Sequence, residues 1–77
     1  MSEANARNRV ALKATWEIEA LSELIRSGLP QLSDGEHIAI KGLAIRIHQL
    51  NSVIMSALGD MGESVDELLD RAGYTKD

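Results

Sequence analysis

The chain has no cysteine, no phenylalanine and a single proline in 77 residues. Without cysteine there is no disulfide to staple a small fold, and the composition fits a reducing, cytoplasmic setting. Aromatic content is down to one Trp and one Tyr, so any core has to be aliphatic. Long apolar runs are missing as well. None exceeds three residues, which predicts neither a signal-peptide core nor a membrane span. Positive charge is in deficit: twelve acids face eight bases, for a net charge of -4. That balance argues against indiscriminate binding to nucleic acid or anionic membrane.

What is present is aliphatic. Hydrophobic residues reach 44%, nearly all of them Ala, Leu, Ile and Val, a globular rather than a disordered composition. A chain of this length buries only about 60% of its extended surface. Below roughly 80 residues one core seldom supplies more than 3–5 kcal/mol, so a partner surface is expected. The charge is uneven too: Arg7, Arg9 and Lys13 outweigh Glu3 at the start, and six acids face Arg71 and Lys76 after Leu58.

Spacing predicts three helices in a single domain. Ala11, Ala14, Ile18, Leu21, Ile25 and Gly28 recur at steps of three and four, one stripe of a helix over about residues 5–27. Gly28 and Pro30 mark its stop. Ser33-Asp34-Gly35-Glu36 has the form of a capping box and opens a second helix over about 34–58. There Ile40, Leu43, Ile47, Leu50, Ile54, Ala57 and Met61 repeat as 3-4-3-4-3-4 without a break. Ser64-Val65-Asp66-Glu67 is another such box, and Val65, Leu68, Leu69 and Ala72 predict a short helix over 65–72 closed by Gly73. Residues 74–77 read as a loose tail. Short connections make antiparallel neighbours. The expected fold is therefore all-α, an antiparallel helical hairpin plus a short C-terminal helix. It is expected to dimerise into a four-helix bundle, with Ile40, Leu43, Ile47, Leu50 and Ile54 as the dimer core.

A second apolar set falls outside these stripes. At 100° per residue, Leu12 and Trp16 point roughly opposite Ile18, with Asn5, Arg9, Glu19 and Glu23 on the same side. Ile38 and Ile45 lie opposite Ile47. A second copy, the short helix or another protein could cover them, and Trp is enriched at interface hot spots. Leu12, Trp16, Ile38, Ile45 and Arg9 are the candidate partner-binding residues.

Signals for chemistry are weak. His37 and His48 are eleven residues apart, about 16 Å along a helix, too far to share one ion. Ser52 follows His48 by four residues, but no carboxylate stands one turn beyond to orient the imidazole. Gly59-Asp60-Met61-Gly62 lacks the Lys-Ser/Thr of a phosphate loop. Glu17, Glu19 and Glu23 are expected on an exposed helix, outside any pocket. No catalytic, cofactor or metal site is expected, and the chain does not read as an enzyme.

Helix, tight connection, helix, then Leu58-Gly59-Asp60-Met61-Gly62-Glu63, with Gln49-Leu50 upstream in comparable register, resembles the Rop family of plasmid copy-number regulators. The similarity spans about 30 residues over helix two and its exit. It implies a homodimeric four-helix bundle that binds paired RNA loops through the outward face of its first helix. Trp16 stands where that family has a Phe, with Asn5 and Arg9 beside it. Glu19 and Glu23 share this face, where they would repel phosphate. The expected function is thus a small regulator or inhibitor that binds another protein through an apolar helical face, of a type common on phages and plasmids. The alternatives are a Rop-like RNA binder and a structural assembly subunit.

Overall fold

The computed structural model describes residues 3–28, 34–59 and 62–75. They form α1 (Glu3–Gly28), α2 (Asp34–Gly59) and α3 (Val65–Ala72), with no strand among them. Pro30, the Ser33 cap, Met61 and residues 76–77, all invoked above, lie outside the described residues. α1 starts two residues before and ends one residue after its expected bounds, α2 starts as expected and ends one residue later, and α3 has the bounds its spacing predicts. The protein measures 46 × 23 × 16 Å.

α1 and α2 are antiparallel: Arg7 of α1 reaches Ser56 and Ala57 of α2, whereas Glu17 reaches Arg46. α3 lies across the open end of this hairpin and touches both long helices of its own chain. Two turns have too few hydrogen bonds to persist alone in water, so α3 depends on its caps and its seat. At its start the Ser64 hydroxyl accepts from the Glu67 amide at 3.2 Å. At its end Gly73 takes the left-handed conformation (φ 76°), and Gly73 and Tyr74 donate to the carbonyls of Asp70 and Leu69. That is a Schellman ending, with Leu69 and Tyr74 both packed against the core.

The core sits where the three helices meet. Val10 and Ala11 of α1, Val53 and Ala57 of α2, and Leu68 and Ala72 of α3 are buried in one cluster, with Ala14 and Leu50 also buried. We call this end the base. Beyond it the two helices continue alone as an arm, residues 18–28 and 34–47, in which no described residue is fully buried. Leu50 has no exposed surface within one chain, so it needs no second copy to stay dry. Ile40, Leu43, Ile47 and Ile54 remain half-buried.

Three arginines hold the base together. Arg7 is buried and donates to the carbonyls of Ala57 (2.9 Å), Ser56 (2.7 Å) and Glu63. Ser56 and Ala57 belong to the last turn of α2, whose carbonyls have no partner within the helix and carry its negative dipole end. Arg71 of α3 forms a two-pronged pair with Glu63 (2.9 and 3.0 Å) and donates to Ser52 and Ser56 of α2. Arg46 of α2 donates to the Ala72 carbonyl at 2.6 Å, and Gln49 to that of Arg71 at 3.2 Å, closing the end of α3.

Candidate protein-binding surface

The outward residues are placed by what the inward ones do. Ala14 faces α2 without exposed surface, so Leu12 and Trp16, two residues to either side, turn away from it. Leu12, Trp16, Ile38 and Ile45 keep 46%, 60%, 72% and 71% of their surface. α3 covers none of the four: it lies over Val10 and Val53. Arg9 is exposed beside an open groove of about 250 Å³, where Ala6, Val10 and Lys13 of α1 face Val65 and Leu69 of α3. Leu12, Trp16 and Arg9 thus belong to the base, and Ile38 and Ile45 to the arm. The structure does not join the five into one patch.

Leu24, Met55 and Leu58 are also large and exposed, at 61–66%. Met55 borders a groove with Ser52 and Ser56, and Leu58 one with Ala4, Arg7 and Asn8 of α1. Met55 falls off the α2 stripe, so its exposure was legible in the spacing, but Leu58 is five full turns from Ile40 and shares the stripe's direction, so its exposure was not. Among the described residues no set of three or more His, Cys, Asp or Glu could hold a metal, and His37 and His48 are both exposed. No described helix is long and apolar enough to cross a membrane.

The electrostatic centre of the molecule lies at the junction of base and arm. Arg46 grips both oxygens of Glu17 at 2.8 and 3.1 Å, and the Tyr74 hydroxyl donates to Glu17 Oε1 at 2.8 Å. Lys13 and Arg46 stand 5.7 and 6.0 Å from the Tyr74 ring centre, within cation–π reach. The hydrogen bonds from Arg46 hold the Glu17 carboxyl below the usual carboxylate range, against the opposing effect of burial. The same pairing raises Arg46 above its ordinary value. Burial, then the bond to Glu17, pushes the Tyr74 hydroxyl up to about 12.

Two expectations change here. Glu17 is not a solvated helix carboxylate: it is half-buried in this cluster. Tyr74 does not begin a loose tail, because its ring packs on the core and its hydroxyl is tied to α1. Arg7, read only as basic charge, turned out to be the buried clamp. A signal for it was present, since the α1 stripe continued four residues back from Ala11 lands on Arg7. A charge in a seam position calls for a buried polar partner.

No family model matches the chain, and neither the curated proteins nor the solved structures yield a match.

Proposed function

We propose that the protein is a non-enzymatic regulator or inhibitor that works by binding another polypeptide through apolar helical surface. The observation that supports this most is Trp16. The chain has one Trp, and it stands outward at 60% exposure while the core is filled by Leu, Val and Ala. A large exposed aromatic beside Leu12 is poor for solubility and good for anchoring a partner. The open grooves between the helices offer contact surface to a partner.

The test is a tagged chain exposed to lysate of its host, alongside Trp16→Ala. The reading requires that a captured protein is lost with the variant, and that adding it purified to the wild-type chain shifts the Trp16 emission. Helicity and light scattering should be unchanged in the variant. Capture that survives Trp16→Ala, or a particle that changes size with it, removes Trp16 from the role. An RNA ligand makes a different forecast: affinity would fall steeply with salt and weaken in Arg9→Ala.

A further inference from the structure

α3 does not seal its boundary with α1. Glu63 meets Arg7 and Tyr74 meets Glu17, so α3 runs alongside α1 in the same direction. Between them lies the open groove of about 250 Å³, with Ala6, Val10, Val65 and Leu69 as its aliphatic lining. The methyl group of Ala6 is too short to close the gap to α3. Arg9 and Lys13 also line the groove, and among the described residues no carboxylate does. The chain as a whole carries a net charge of -4. Arg7, Arg46 and Arg71 are turned into the base and Arg26 pairs with Glu23, whereas Arg9 and Lys13 stand exposed at this apolar edge. Lys13 is held there over the Tyr74 ring, 5.7 Å from its centre. Ala6, Arg9, Lys13 and Trp16 follow one another at steps of 3-4-3, so Trp16 is the next residue along the same stripe.

We infer that this groove is the seat of a helical segment of the partner whose apolar stripe is bordered by acidic residues, with Trp16 at its far end. The inference rests on the protein-binding reading above and names the partner's chemistry. From Ala6 to Trp16 the seat is about 15 Å long at 1.5 Å per residue, some three helical turns. An aliphatic side chain of the partner enters between Val10, Val65 and Leu69, and Asp or Glu three or four residues from it reaches Arg9 and Lys13. Charge fixes the orientation. Asp66 and Asp70 of α3 are exposed and lie about 60° and 100° around that helix from Leu69. The partner's acids therefore fall on the α1 side, since on the α3 side like charges would oppose each other. The same carboxylates, with Glu19 and Glu23 beyond Trp16, disfavour nucleic acid, whose phosphates repeat along the whole ligand.

A library of random short peptides displayed on phage and selected on the immobilised chain tests this chemistry directly. Selection should enrich Asp or Glu three or four residues from Leu, Ile or Phe. A synthetic peptide of the enriched sequence should bind Lys13→Glu about three- to tenfold more weakly at low salt, and the difference should shrink as salt rises. Lys41→Glu makes the same charge change on exposed surface of the arm and should bind as the wild type does. Ala6→Leu keeps a strong helix former and fills the groove, so it should lose binding with circular dichroism unchanged. Several results overturn the inference: no enrichment, enriched peptides without acids, affinity untouched by Lys13→Glu or Ala6→Leu, or an equal loss in Lys41→Glu. Tighter binding of a short RNA hairpin than of any selected peptide overturns it too. Capture of a host protein that needs Trp16 yet survives both groove variants overturns the groove alone. A peptide that needs the groove and not Trp16 supports the groove and overturns the Trp16 reading.

Discussion

Base and arm are made of the same two helices, and both carry apolar stripes at helical spacing, yet only the base is buried. Val10, Ala14, Leu50 and Val53 keep 4% of their surface or less, whereas Ile18, Leu21, Ile25, Ile40, Leu43 and Ile47 stay half-exposed. The difference is α3. A pair of helices shields one side of each member, and a third helix lying in their groove closes the rest. The comparison teaches that in this chain helical periodicity marks which residues can be buried, while a third layer decides which are. Eight residues of α3, held by arginine contacts at both ends, supply that layer over one half only.

Substitutions in the two halves should therefore differ most where the side chains are alike. Leu50→Ala should cost about 2–5 kcal/mol of unfolding free energy in urea titrations, while Ile38→Ala in the arm should cost less than about 0.5 kcal/mol. Equal costs would erase the distinction. Next comes Arg7→Met, which leaves the Ser56, Ala57 and Glu63 carbonyls without their donor and should cost about 1–3 kcal/mol. Hydrogen exchange should show α3 opening first in that variant.

The junction gives a smaller, pH-dependent effect. Tyr74→Phe removes the hydroxyl bond to Glu17 and should cost about 0.5–1.5 kcal/mol at neutral pH. Because the folded hydroxyl is pushed up from 10.0 to about 12, its share of stability is complete below pH 10 and is lost as pH rises through that window. Melting temperatures from pH 9 to 12 should fall more steeply in the wild type than in Tyr74→Phe. Glu17 works in the other direction. Its carboxyl is held low in the fold, so its contribution is complete above the ordinary value of 4.5 and disappears as pH drops through the lowered one. Glu17→Gln should flatten that acid limb. The smallest effect belongs to the arm: Gly42→Ala should stabilise the monomer by about 0.5–1 kcal/mol, because helix propensity rises and nothing is displaced.

Much of the fold was legible without coordinates. Steps of three and four from Ala11 and from Ile40 mark the long helices, and the Ser64 box with Gly73 brackets α3 to the residue. Both signals are local, written by capping chemistry and by the helical repeat. The exposed set Leu12, Trp16, Ile38 and Ile45 was legible for the same reason, as residues off the stripe. The arginine clamps were not. Arg7 and Glu63 are 56 positions apart and Tyr74 and Glu17 are 57 apart, and nothing local couples them.

Sequence alone determined which segments coil, where the short one starts and stops, and which side chains stand off the seams. Each of these follows from backbone hydrogen bonding and side-chain direction within a few residues. Only the tertiary structure decided that α3 folds onto its own hairpin, that it covers the base and leaves the arm bare, and that Arg7, Glu17 and Tyr74 sit inside rather than out. Those outcomes depend on where the orphan carbonyls at helix ends find donors, and that is a matter of packing between elements far apart in the chain.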